Sequence, residues 1–148
     1  MEENKKERYT LGKSEKLRHK TLVDGVFASG ETLYEYPLRV SFRILGEKEL
    51  DEAFRDRIPM RIGALQMLIT VPKKKLRHAV DRVRMRRLIR EAYRLNRLEL
   101  LDKARENGKV RTVSMAFIYL HGELSDYATI EKKMKRLLSK IGERLGKD

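Results

Sequence analysis

Apolar and polar positions along the chain follow two rhythms, and the switches between them mark out the elements. From Ser14 to Ala28 the spacing is helical. Leu17, Thr21, Val23 or Asp24, and Phe27 recur at three- or four-residue steps, and Gly30 can end the helix just past Ser29. An extended stretch begins near Glu31 and is interrupted by Pro37. Beyond it Leu38, Val40, Phe42 and Ile44 alternate with Arg39, Ser41 and Arg43, which predicts a strand with one buried and one wet side. Residues 46–61 are acidic and irregular and predict a long loop, with one helical turn around residues 50–54. Gly63 to Val71 predicts a second strand, with Leu65, Met67, Ile69 and Val71 on one face and Pro72 to stop the ladder.

Residues 79–97 predict a long helix, and Asn107-Gly108 a turn. Val110 to Leu120 predicts a strand with Val113, Met115, Phe117 and Tyr119 on one face, closed by His121-Gly122. Ser125 or Asp126 can cap a final helix whose apolar stripe is Tyr127, Ile130, Met134, Leu137, Leu138, Ile141 and Leu145. The order of elements predicts an α+β fold. It is a two-layer sandwich of a mixed, mainly antiparallel four-stranded sheet with about three helices. Residues 1–13 are polar and expected to be flexible, and residues 14–148 to form a single domain.

Composition turns this outline toward a partner. Charged residues make up 39% of the 148, against roughly 25% in ordinary globular domains. The net charge is +13 and the pI about 10.1. Clustered Lys and Arg gain by displacing counterions from phosphates, so nucleic acid is the first partner to consider and an anionic membrane the second. There is no cysteine, which excludes disulfides, zinc-thiolate sites and thiol nucleophiles. The charged stretch from Met1 to Arg8 does not read as a secretory signal. The longest apolar run, Val113 to Leu120, is far short of the roughly 20 residues that span a bilayer. The expected location is the cytoplasm, with no membrane partner.

The charge concentrates in one segment. It begins at Lys73, Lys74, Lys75 and Arg77 and continues through Arg82, Arg84, Arg86, Arg87, Arg90 and Arg94, which together are the candidate RNA-binding residues. At about 100° per residue, Arg82, Arg86, Arg90, Arg94 and Arg97 fall on one side of a helix, with Arg87 flanking and Arg84 further round. Met85, Leu88, Ile89, Ala92 and Leu95 fall opposite. Val83 and Ala79 sit within the cationic face and Tyr93 at its edge, where a nucleic-acid strand could approach closely. Like charges at i,i+4 repel, so such a row needs an offset. A phosphate backbone supplies one, and the planar guanidinium suits it because it can take two phosphate oxygens or stack on a base. The competing reading is that the face packs on the acidic residues 47–56.

This segment resembles the signature of the bacterial ribonuclease P protein family. A strand ends in lysines (Lys73-Lys74-Lys75). Then come Ala79-Val80, Arg82-Val83-Arg84, the basic pair Arg86-Arg87, and Arg90-Glu91-Ala92-Tyr93-Arg94. Upstream, Val26-Phe27-Ala28-Ser29-Gly30 is similar to the end of the family's first helix. Val83 stands where the family has asparagine, Val23 where it often has an aromatic, and the acidic stretch at 46–61 is longer than usual. The resemblance implies a fold similar to domain IV of elongation factor G, with a left-handed crossover through the arginine helix. It implies that this helix contacts a catalytic RNA. It also implies a cleft between the first helix and the sheet that takes the 5′ leader of precursor tRNA, with Phe27, Phe42 and Lys75 as leader-binding residues. Core packing is the equal alternative for Phe27 and Phe42.

The chain offers little chemistry of its own. His19, His78 and His121 are isolated in sequence, and no metal-ligand spacing is present. Glu47, Glu49, Asp51, Glu52 and Asp56 read as a solvated acidic face. No catalytic or metal-binding residue is expected in the protein. Magnesium ions would be held mainly by the RNA subunit, and no protein partner would be required. The alternatives are a ribosomal or ribosome-associated RNA binder, a DNA binder using the arginine helix in the major groove, and a helix lying on anionic membrane.

Overall fold

A computed structural model describes residues 9–55, 58–59 and 62–146. The helices are α1 (Lys20–Ser29), α2 (Glu47–Phe54), α3 (Ala79–Asn96), α4 (Leu98–Glu106) and α5 (Tyr127–Leu145). The strands are β1 (Glu31–Glu35), β2 (Leu38–Leu45), β3 (Leu65–Thr70) and β4 (Thr112–Tyr119). They form one sheet in the order β1-β2-β4-β3. β1–β2 and β2–β4 are antiparallel, and β3–β4 is parallel. A parallel pair needs a crossover, and α3 and α4 supply it. The α+β class and the mixed four-stranded sheet are those the patterning predicts.

The sheet is packed on both faces, and this sets the geometry of everything outside it. Leu38, Val40 and Phe42 of β2 and Val113, Met115, Phe117 and Tyr119 of β4 face a large core shared with α3, α4 and α5. The stripe expected on α5 is real: Ile130, Met134, Leu137, Leu138, Ile141 and Leu145 are all buried there. Asp126 caps the helix by accepting from Thr129 N at 3.1 Å. On the opposite face Ala116 and Leu45 join Leu22 and Val26 of α1 and Leu50 of α2 in a second, smaller core. The side of β2 expected to be wet is therefore partly roofed. Small side chains at Ser41, Ser114 and Ala116 leave room for α1, and all eight residues of β4 are buried.

Three boundaries differ from the expected ones, each for a physical reason. The first helix starts six residues late. Lys13–Glu15 forms a 3₁₀ turn, Lys16 bridges to Met67 and Leu17 N donates to Met67 O, so this stretch extends β3's edge instead. α2 is eight residues long rather than one turn, because buried Leu50 anchors it. α4 was not foreseen, so the described residues form five α-helices where about three helices were expected. Residues 9–13 are also not loose. Leu11 packs on the large core, and the carbonyls of Tyr9 and Thr10 accept from Arg94 and Arg97. The expected flexibility of residues 1–8, the acidic-face reading of Asp56 and the assignment of residues 147–148 to the domain lie outside the described residues.

α5 is fastened to the sheet edge by charge as well as by its stripe. Glu35 on β1 accepts from Lys140 at 2.6 Å, with Arg136 at 3.5 Å and Lys133 at 3.9 Å, and Arg144 reaches Glu31 at 2.8 Å. The hydrogen bond from Lys140 holds the Glu35 carboxyl below the usual range, against the opposing effect of burial. A depressed carboxylate contributes stability that is present above its unfolded pKa and lost as pH falls through the folded one. Glu35→Gln should therefore cost about 1 kcal/mol at pH 7. It should also weaken the acid sensitivity of stability below roughly pH 4.5. Urea unfolding of both proteins at pH 7 and pH 3.5 checks this, with converging stabilities expected at the lower pH.

Candidate nucleic-acid interface

α3 lies with Met85, Ile89, Ala92 and Tyr93 fully buried against the sheet. The core face is therefore turned slightly from the expected one. Tyr93, placed by periodicity at the edge of the cationic face, is buried and packs its ring 5.8 Å from that of Phe117. Burial pushes its phenol strongly up. Leu95, expected inside, is exposed.

This rotation sorts the arginines into two groups. Arg84, Arg87 and Arg90 are exposed and Arg86 is half-buried, and none of the four has an ion-pair or hydrogen-bond partner among the described residues. The others are committed to the fold. Arg82 Nη1 donates to the carbonyls of Leu76 (2.9 Å) and Arg77 (2.8 Å), so it ties down the turn that leads into α3. Arg94 is paired with Glu91 at 2.6 Å. That hydrogen bond holds the Glu91 carboxyl below its usual range and the guanidinium more firmly protonated. Arg97, expected on the cationic side, is only 2% exposed. It is held by Glu15 at 2.7 Å and donates to Arg94 O and Thr10 O. Arg97 is thus held inside the fold, and half-buried Arg82 and Arg94 each spend part of their guanidinium on it.

The described residues of the acidic segment pack elsewhere. α2 packs on α1 and β2, Glu47 reaches Arg111 at 3.5 Å and Glu49 caps Gly46 N at 2.9 Å. Between Arg84 and Arg87 the helix presents Ala79, Val80, Val83 and Leu88 around a shallow groove. Val80 is 78% exposed. Lys73, Lys74 and Lys75 are exposed on a turn closed by Lys75 N and Leu76 N donating to Pro72 O. Arg77 is exposed just before the helix. The arginine face, the lysine turn and the groove make one cationic surface with apolar patches.

The two phenylalanines part company. Phe27 on α1 is exposed at 52%. Phe42 is 2% exposed and belongs to the large core, on the face of the sheet away from α1. They cannot line one cleft. What lies beside Phe27 and α1 is the outer face of the sheet, where Tyr34, Arg39, Ile118 and Thr70 form a cross-strand row. Tyr34 and Thr70 are exposed at its two ends, and the shielded Nε of Arg39 has no partner among the described residues. Arg43 on the same face crowds Gly25, whose missing side chain gives it room: a Cβ there would lie 2.6 Å from Arg43 Nη1. Sequence alternation identified this side of β2 and placed Arg39 and Arg43 on it, but did not single out Tyr34.

Among the described residues no group of three or more His, Asp or Glu side chains gathers as a metal site, and no helix is long and apolar enough to cross a membrane.

Fold and surface together define a small α+β protein with a helix on which Arg84, Arg86, Arg87 and Arg90 have no counterion among the described residues. The family model described as Ribonuclease P matches residues 11–142. The chain is 37% identical over 133 residues to the ribonuclease P protein components of two strains of Porphyromonas gingivalis, covering 90% of this chain and 87% of theirs. It is 29% identical over 137 residues to that of Chlorobium phaeobacteroides, covering 89% and 88%. Among solved structures, the RNase P protein of Staphylococcus aureus superposes with a TM-score of 0.57 at 15% identity, covering 86% of this chain and 94% of that one. The chain belongs to the ribonuclease P protein family, the protein component of an endoribonuclease of tRNA processing.

Proposed function

We propose that the exposed arginines of α3, with the lysine turn, dock the catalytic RNA of ribonuclease P, and that the outer sheet face beside α1 takes the single-stranded 5′ leader of precursor tRNA. The observation that carries the first half is that Arg84, Arg86, Arg87 and Arg90 have no described counterion, while Lys133, Arg136, Lys140 and Arg144 of α5 are spent on Glu31 and Glu35. Four guanidinium groups on about two helical turns repel one another unless phosphates lie between them. The second half rests on exposed Phe27 and Tyr34 on the face that carries Arg39 and Arg43, with Lys75 on the turn that follows β3. Aromatic faces beside cations hold unstacked bases without reading their sequence.

The described residues do not make a magnesium cage, since they gather no set of three acidic or histidine ligands. Magnesium would be held by RNA phosphates, and the chemistry would belong to the RNA. The protein then adds affinity for substrate and lowers repulsion between two RNAs. It needs no protein partner for this and would act in the cytoplasm. Reconstitution tests the reading: added to a bacterial ribonuclease P RNA at low magnesium, the protein should restore cleavage of precursor tRNA. No gain in cleavage would refute it. Phe27→Ala should weaken precursor binding to that assembly by about tenfold, the value of one base stack, and leave mature tRNA unchanged. Filter-binding of the two RNAs reads the difference.

A further inference from the structure

At the end of the sheet where β3 and β4 finish, Tyr36 and His121, which the surfaces above do not use, meet the lysine turn. Tyr36, in the turn between β1 and β2, is 59% exposed. Its hydroxyl shares a hydrogen bond of 2.9 Å with His121 Nδ1. The His121 ring stands edge-on to Tyr36 (5.8 Å, 72°) and to Tyr119 (6.5 Å, 70°). Tyr119 is itself anchored by Ser125 Oγ at 2.6 Å and by the Glu123 carbonyl. The lysine turn closes over the same end: a Cβ built on Gly122 would lie 3.9 Å from Lys75 O. An exposed tyrosine is thus held in one orientation, its ring open to solvent, at the end of the sheet where the backbone of the lysine turn comes up to Gly122.

We propose that this corner is a subsite for one unpaired nucleotide of a single-stranded RNA. The base stacks on Tyr36, with the ring of His121 at its edge, and the adjoining phosphate is taken by Lys73–Lys75. Fixing the ring beforehand removes the ordering cost that a mobile surface tyrosine would pay on binding. Cations supply the charge complementarity, and a base needs only a flat face, so the subsite accepts any sequence. Tyr36 follows exposed Tyr34 by two residues, about 7 Å along the chain direction. The subsite therefore continues the row proposed above for the leader. It deepens that reading and extends the single-strand track from β1 toward the end of β3.

The test uses the full chain and a uridine decamer carrying one 4-thiouridine, photo-crosslinked and mapped by mass spectrometry. A crosslink is expected at Tyr36 or His121. Tyr36→Ala should abolish it and weaken the decamer by about tenfold. Tyr36→Phe, which keeps the ring, should stay within about threefold of the unaltered protein, and His121→Ala should fall between the two. Thermal midpoints of all three are measured alongside, so that a loss of crosslink without a fall in midpoint is assigned to the ring itself. Crosslinks confined to α3, or a decamer affinity indifferent to Tyr36→Ala, would overturn the subsite. Failure of the arginine face shows separately, as loss of catalytic-RNA binding being absent in Arg87→Ala with Arg90→Ala while the Tyr36 crosslink persists.

Discussion

Replacing Arg87 and Arg90 together by alanine should weaken binding of the catalytic RNA by about 10- to 100-fold and flatten its salt dependence by nearly two units of slope. Each phosphate neutralised on a duplex contributes about 0.9 to the slope of log affinity against log salt. A charge-assisted hydrogen bond is worth roughly 1.5–3 kcal/mol, less where solvent screens it. Both arginines are exposed and without described partners, so their removal takes away no internal ion pair and the fold should keep its stability. Arg136→Ala is the control. It removes a cation that faces Glu35 at 3.5 Å, and it should leave the RNA slope unchanged. Titrations of each protein at several salt concentrations decide between the two outcomes.

Phe42→Ala should instead destabilise the protein by about 3–5 kcal/mol, as large-to-small changes in a packed core do. The ring is 2% exposed and sits opposite Met115 on β4 and Glu31 on β1, with no face left for a base. The loss would lower the thermal midpoint by about 10 °C, which is a large share of the roughly 5–15 kcal/mol that holds such a domain folded. At a temperature where the variant is still folded, precursor and mature tRNA should be affected alike. A selective loss of precursor binding with an unchanged midpoint would return Phe42 to the leader track. Calorimetry and binding to both RNAs, measured on the same preparation, separate these cases.

Elements with a clean period were legible in the residues. The stripe of α5, its Asp126 cap and the alternation of β2 and β4 appear in the structure where the patterning puts them. The α3 surface was legible as a cationic face but not in its details, because pattern alone assigns each arginine outward. Arg97 turns inward because Glu15, far away in sequence, meets it, and no local rule reports such a partner. Arg82 turns back because carbonyls of the preceding turn lie within reach. Tyr93 buries because the sheet offers Phe117 to its ring. α4 was hidden for a related reason. No Gly, Pro or capping side chain separates it from α3, and the break at buried Arg97 is made by tertiary contacts. Phe42 was ambiguous in principle, since one strand position serves a core or a cleft according to which face the helices cover.

The most direct measurement is the reactivity of individual guanidinium groups toward an arginine-specific reagent, mapped by mass spectrometry with and without ribonuclease P RNA. Protection of Arg84, Arg87 and Arg90, with Arg136 and Arg144 of α5 reacting as before, is the predicted result. Unchanged reactivity on α3 together with protection on α5 would contradict the account and move the RNA to the other side of the molecule.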